Sequence, residues 1–207
     1  FIVGVCALAL VSCQKETDKP FDYTVDKFYD LEILRYQVPG FDELTLQQKT
    51  LAYYLSEAAL QGRDILYDQN GRYNLRIRRA MEALYLNFAG DKQSEEFLLL
   101  EKYLKRVWFS NGIHHHYSED KFLPEFTEAW YRQACAEAGL TVDEELLPVI
   151  FDPAVMPKRT NQAAGQDLVL TSAGNYYEGV TQAEAEAYYA AHKDNSPEPK
   201  WIGLNSK

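Results

Sequence analysis

Histidine is scarce in this chain: there are four in 207 residues, and three of them, His114, His115 and His116, are consecutive. Cysteine is scarcer still. Cys6, Cys13 and Cys135 form no C-x-x-C pair, which excludes a zinc ribbon. There is no H-E-x-x-H pattern, so the helix that carries zinc in many peptidases is absent from this segment. Ser110 and Ser118 flank the histidines without a G-x-S-x-G elbow, and a serine-hydrolase triad is not supported. "GRYNLR" and "AGDKQS" lack the spacing of a phosphate-binding glycine loop. Positive charge is also short, with 21 Lys and Arg against 31 Asp and Glu and a formal net charge of −10. The richest basic run, "RIRR" at Arg76 to Arg79, is spaced as a solvated helix face. Both facts argue against a nucleic-acid partner. No internal repeat is visible.

What is present is an ordinary globular balance, 46% hydrophobic and 25% charged, with length enough for one domain or one and a half. Aromatics reach 14%, with fifteen Tyr. A phenol ring offers stacking area and a hydroxyl, which suits peptide or sugar surfaces, and also suits the rims of packed helices.

The front of the chain, "FIVGVCALALVSC", is apolar and uncharged but too short to span a bilayer. It has the length of a signal-peptide core, assigned to residues 1–12. The charged start and initiator Met are missing, so a truncation at the front is expected. Leu10-Val11-Ser12-Cys13 resembles the lipobox of bacterial lipoproteins. That resemblance implies lipidation of Cys13 and a place in the bacterial cell envelope, as a periplasmic or outer-membrane lipoprotein. Each buried acyl methylene contributes about 0.8 kcal/mol, so several chains on Cys13 would anchor the protein to the membrane. Residues 13–20, with "QKETDKP", read as the lipidated N-terminus and tether. Cys135 in "RQACAEAG" would then be the one remaining thiol, in a packing role on a helix.

Residues 21–150 read as a helical region. Thr45 with Gln48 is a capping box, and Leu51, Leu55, Ala58, Gly62 and Ile65 fall on one helical face. "DQNG" at Asp68 to Gly71 reads as a turn. A second helix is expected over about Leu75 to Phe88, with Ile77, Met81, Leu84, Tyr85 and Phe88 inward. A third is expected from Ser94 to about Phe109, with Phe97, Leu100, Leu104, Val107 and Trp108 on its stripe. A fourth covers about Thr127 to Glu137 and stops at Gly139, and a short one begins at Thr141 and ends before Pro148. From Phe151 the chain is a loop. "DLVLTSAGNYYEGV" then has β-type residues without helical period. Thr181 with Glu184 caps the helix "QAEAEAYYAAHK", "DNSPEPK" is a linker, and "WIGLNSK" reads as a strand. Residues 151–207 are thus the start of a β-containing region, expected to be cut off at its end. The expected fold class is α+β, mainly α: a helical bundle followed by the first strands of an incomplete sheet or barrel.

In an extended loop, side chains alternate, so His114 and His116 would face one way and His115 the other. An H-x-H pair needs further ligands to hold zinc, and Glu119, Asp120 and His192 have no spacing that supplies them. On residues alone, a structural loop, a substrate-facing loop and a metal site all remain open, the last being the weakest.

Four blocks resemble the dipeptidyl peptidase III family, in the family's order. "ELTLQQKTLAYYLSEAALQGRDIL" resembles its first helix, through Leu44-Thr45, Tyr54-Leu55-Ser56, Ala58-Ala59 and Gly62. "FSNGIHHHYSEDKFLPEF" resembles its Tyr-Ser-Asn segment, which leads to an aromatic and then Lys-Phe-x-Pro, here Tyr117 and Lys121-Phe122-Leu123-Pro124. "NYYEGVT" and "GLNSK" resemble its Tyr-Phe-x-Gly and Asn-(Ser/Thr)-(Lys/Arg) segments. The resemblance implies a two-lobed zinc exopeptidase that removes dipeptides from the N-terminus of oligopeptides. This chain would be its N-terminal portion, part of the lobe that does not hold Zn2+. The zinc ligands and the general base match no position here, so no catalytic or metal residue is assigned and the segment alone is expected to be inactive. The partners implied are an oligopeptide substrate and the zinc lobe. The family's cleft-wall aromatic carries over to Tyr117. His115 and His116 are added as substrate-binding candidates by adjacency. For Tyr117 the alternative is a ring packed under its own loop, and for Tyr176 and Tyr177 it is strand packing. The competing function is a non-catalytic peptide- or glycan-binding lipoprotein.

Overall fold

A computed structural model describes residues 21–193. The stretches expected to be a signal segment and a tether, with Cys13, and "DNSPEPK" and "WIGLNSK" lie outside the described residues. The chain divides into two compact units, with the boundary between Pro39 and Gly40.

In the first unit, strands β1 (Thr24–Phe28) and β2 (Leu31–Leu34) pair antiparallel, in register Phe28↔Leu31, Lys27↔Glu32 and Asp26↔Ile33. The pairing is irregular between Thr24 and Asp26. Tyr29 takes φ 54° in the connecting turn. Thr24 Oγ1 donates to Glu32 Oε1 at 2.8 Å across the pair. This hairpin lies inside the stretch expected to be helical. Its two-residue turn is Tyr29-Asp30, with no Gly or Asn to announce it.

The second unit is helical: α1 (Leu46–Gln61), α2 (Arg63–Asn70), α3 (Asn74–Asn87), α4 (Glu95–Ser110), α5 (Glu128–Glu137), α6 (Leu146–Phe151), α7 (Leu168–Thr171) and α8 (Gln182–His192). Among the described residues the fold is therefore α+β, mainly α. Both expected capping boxes are present, at Thr45/Gln48 and Thr181/Glu184. The core lies between α3, α4, α5 and α6. Ile77, Met81 and Leu84 of α3 meet Phe97, Leu100, Leu104 and Val107 of α4, all at most 2% exposed. Burying each such side chain contributes about 1.5–3 kcal/mol. Tyr85 and Phe88 pack at the edge of this core, where the Tyr85 ring stacks on Phe97 at 5.3 Å.

Several expectations are corrected. The stretch carrying Leu51, Leu55, Ala58, Gly62 and Ile65 is not one helix: it breaks at Gly62 between α1 and α2, and these five residues are exposed. The α2 residue that reaches the core is Tyr67. Asp68 to Asn70 are the last turn of α2, and the chain turns only at Gly71. Trp108 sits at the rim, 39% exposed, its Nε1 donating to Glu82 Oε1 at 2.8 Å. The short helix starts at Leu146 and runs through Pro148. Pro148 occupies the first turn, where a backbone N–H has no intrahelical partner to lose. "DLVL" is not a strand: the Asp167 carboxylate accepts from Val169 N and Leu170 N and starts the single turn α7. Between residues 151 and 193 the only β pairing is an isolated bridge at Lys158.

Candidate functional site

The loop after α4 owes its course to two backbone positions. Asn111 ends the helix in the left-handed conformation, and Gly112 N donates back to Val107 O at 3.0 Å. Gly112 has φ 150°, and a Cβ there would stand 2.3 Å from Asn74 Nδ2. Asn74 is buried at the start of α3, and its Oδ1 accepts from Ile113 N at 3.3 Å. Asn70 Nδ2 donates to Asn111 O at 3.1 Å. The first turn of α3 and the last turn of α2 thus fix where the histidine run begins.

Four short segments then lie side by side. Phe122 N donates to Ile113 O and His115 N to Asp120 O, both at 2.7 Å. On the far side of that pair, Lys121 N donates to Pro157 O at 3.1 Å and Arg159 N to Glu119 O at 3.0 Å. Beyond them, Ala173 N donates to Lys158 O and Gly174 N to Arg159 O, both at 3.0 Å. Side chains cross the same seams. Glu119 pairs with Arg159 at 2.9 Å, and Asp120 pairs with Lys158. Lys121 Nζ donates to the carbonyls of Asp152 (2.6 Å) and Val155 (2.8 Å). Burial pushes the Lys121 amine down to about 8. Phe122 is buried beneath, with the Arg106 guanidinium 4.1 Å from its ring centre.

On this layer the three histidines take three different positions. His114 is 2% exposed, and its Nε2 lies 2.8 Å from Met156 O, so Nε2 carries the proton. Burial holds its basicity below the ordinary imidazole value. His115 and His116 do not alternate. The chain turns here, with Glu119 N donating to His115 O at 3.0 Å, and the two rings stack at 4.4 Å and 28°. This corrects the expected alternation, whose premise was an extended backbone. His115 Nδ1 accepts from both Tyr117 N and Ser118 N at 3.1 Å. Phe109 meets His116 edge-on at 4.9 Å, and the tilted Tyr117 ring lies 4.3 Å from His116. Tyr117 is 84% exposed and is not packed under its own loop.

The structure therefore brings the three proposed binding residues, His115, His116 and Tyr117, into one aromatic stack that ends in an exposed ring. Its supports were missed by sequence reasoning. The Met156 carbonyl, the Lys158 and Arg159 partners and Asn74 are 30 or more residues away along the chain from the groups they hold. The one available signal was Asn74, a polar residue at an otherwise apolar position on the inward face of α3. Tyr176 and Tyr177 are partly exposed and lie in irregular chain rather than in a strand. Tyr177 and Tyr189 share a hydrogen bond at 3.1 Å between their hydroxyls. His192 stacks on Tyr188 within α8. Among the described residues no group of three His, Cys, Asp or Glu side chains is placed to hold a metal ion.

Apart from the stack there is an open groove of about 440 Å³, lined by Glu128, Arg132, Glu144, Leu147, Pro148, Phe151 and Asp152. Arg132 donates to both oxygens of Glu144 at 2.6 and 2.7 Å and to Glu128 at 2.8 Å. Its guanidinium is committed to protein carboxylates, so the groove is not a ready anion site.

No protein-family model and no curated protein matches the chain. No helix among the described residues is long and apolar enough to cross a membrane.

Proposed function

We propose that this chain is the N-terminal portion of a lipid-anchored, zinc-dependent dipeptidyl peptidase III-like enzyme, and that it contributes a wall of the peptide cleft rather than the zinc centre. The reading rests on the four motif blocks in family order. It is supported by one structural observation: the aromatic ahead of Lys-Phe-x-Pro, Tyr117, projects into solvent from a loop whose neighbouring side chains are fastened. A pre-ordered loop presenting an exposed aromatic surface is suited to holding an extended peptide, because little further ordering is needed on binding. In this reading Tyr117, His116 and His115 contact the peptide. Zn2+, when bound to the complete protein, would activate the attacking water. Among the described residues no group of side chains fits a zinc site, and no step of the chemistry is assigned to them.

The test is to read the gene past the codon for Lys207. A continuation encoding His-Glu, two or three residues and then His on a helix, together with chelator-sensitive release of dipeptides from a dipeptidyl arylamide, supports the reading. A stop codon, or a continuation without that motif, overturns it. The exposed rings of Tyr53, Tyr54, Tyr117, Tyr176 and Tyr188 favour a second reading, a peptide- or glycan-binding lipoprotein without catalysis. Saturable binding of oligopeptides or glycans with no hydrolysis by the complete protein would select it.

A further inference from the structure

We infer that His115 is the latch of an acid-opened turn. Its Nδ1 is within 3.1 Å of two backbone N–H groups, those of Tyr117 and Ser118, and accepts from both. An imidazole nitrogen can accept only while its lone pair is free, so Nδ1 is unprotonated in this structure and any ring proton is on Nε2. Forming the imidazolium places an N–H at Nδ1, facing two other N–H groups. Both hydrogen bonds are then lost together. The turn over residues 115–118 is closed by these two bonds and by Glu119 N donating to His115 O. The same turn stacks the His115 ring on His116 at 4.4 Å and seats Tyr117 against His116 at 4.3 Å. A positive charge on His115 thus removes two of the three ties of the turn, leaving Glu119 N to His115 O, and loads the stack. Tyr117 loses its fixed position while the layer beneath stays in place, because Phe122 N to Ile113 O and Lys121 N to Pro157 O involve no imidazole.

The charged and titratable groups around the turn do not perform this switch. Asp120 is next to the turn, and its carboxylate is held by Lys158 and by Ser118. The Lys158 and Ser118 contacts keep it ionised through the histidine range. Glu119 accepts from the Thr160 side chain and pairs with Arg159, and these contacts keep it ionised as well. His116 and Tyr117 are the stacked neighbours, and His114 faces Met156 on the inner side. The closed turn is therefore present while His115 is neutral and is lost as acid protonates it. The inference does not depend on the peptidase reading.

The experiment is an NMR titration of the ¹⁵N-labelled 207-residue chain from about pH 8 to about pH 5, the range in which imidazoles charge. It follows the His115 ring nitrogens and the amides of Tyr117 and Ser118, with the Phe122 amide as internal reference. The expected result is that both amides move with the His115 ring. Their exchange protection relative to Phe122 should fall about tenfold, the scale of losing one or two hydrogen bonds. His115→Asn provides a side-chain oxygen that accepts the same two N–H groups and never charges, so this variant should keep both amides protected throughout. His115→Ala should lose that protection already at the upper pH. The inference is overturned if the two amides ignore the titration of His115. It is also overturned if His115→Asn opens with the same acid midpoint as the parent chain.

Discussion

Gly112→Ala is the sharpest test of how the histidine loop is positioned. At this residue φ is 150°, a conformation that L side chains rarely adopt. The added methyl would also meet Asn74, with Nδ2 at 2.3 Å and Cγ at 2.8 Å. Asn74 cannot swing aside without consequence. It is 2% exposed, and its Oδ1 holds Ile113 N at 3.3 Å. Gly139 gives a lower bound on the backbone contribution: its φ is 70°, in the left-handed region and less forbidding to a side chain than 150°, and no atom lies within 4 Å of an added Cβ. Gly139→Ala should therefore cost about 1–2 kcal/mol, from the left-handed conformation alone. Gly112→Ala should cost at least that amount plus about 1–3 kcal/mol for displacing a packed side chain and its hydrogen bond. The assay is urea unfolding of the two variants beside the parent, read as a midpoint shift at constant slope. Gly112→Ala combined with Asn74→Ala should recover part of the loss, since the clash goes and the strain remains. If Gly112→Ala unfolds within about 0.5 kcal/mol of Gly139→Ala, the close approach of Asn74 is not what fixes this loop, and the reasoning fails.

Lys121→Met should destabilise the chain by about 1–3 kcal/mol at neutral pH, measured by urea unfolding, because the Asp152 and Val155 carbonyls lose their donor. The Lys121 amine is pushed down to about 8 in the fold, below its unfolded value near ~10.4. Between those values the unfolded chain binds more protons, so Lys121 makes stability rise with pH over about pH 8 to 10. That rise should vanish in Lys121→Met. His114 is held neutral by burial, its folded value lying below the ordinary one. Its contribution is present above about pH 6.5 and is lost as pH falls further, so acid should lower Tm, and less so in His114→Asn. Cys135 is buried and burial pushes its thiol up, so mass mapping after brief treatment with a thiol reagent should find it unmodified until denaturant is added.

The helices that could be read from the sequence are those whose pattern and surroundings agree. α3 and α4 each repeat apolar residues at three- and four-residue spacing, and each has the other to pack against, so Ile77, Met81, Leu84, Phe97, Leu100 and Leu104 go inside as their spacing says. α1 has a capping box and an apolar stripe of the same kind, yet Leu51 and Leu55 are 59% and 61% exposed. Periodicity specifies a helix and a face. It does not specify a neighbour, and α1 has none that covers that face among the described residues. The failures at the turns have the same local origin. Tyr29 carries a positive φ without being Gly or Asn, and Asp167 starts a helical turn where Val169 and Leu170 suggest a strand. A single side-chain hydrogen bond or a single strained residue decides such points, and composition averages over both.

The candidate site shows this limit in its most compact form. His114, His115 and His116 are the same residue in sequence, and each does something different. His114 is inside because its backbone bridges Lys121 and its ring finds the Met156 carbonyl, 42 residues on. His115 is a turn residue because the chain doubles back just far enough for Tyr117 N and Ser118 N to reach Nδ1. His116 is a stacking surface because Phe109, the next-to-last residue of α4, stands beside it. The sequence showed that the cluster was local and that Tyr117 belonged to it. The inward, turning and stacking roles depended on Met156, on the turn and on Phe109. Substituting His114 should therefore be read out in global stability, His115 in the acid response of two amides, and His116 in the ring positions of Tyr117 and His115. A single phenotype shared by all three substitutions would mean that the run acts as one block and that this division of roles is wrong.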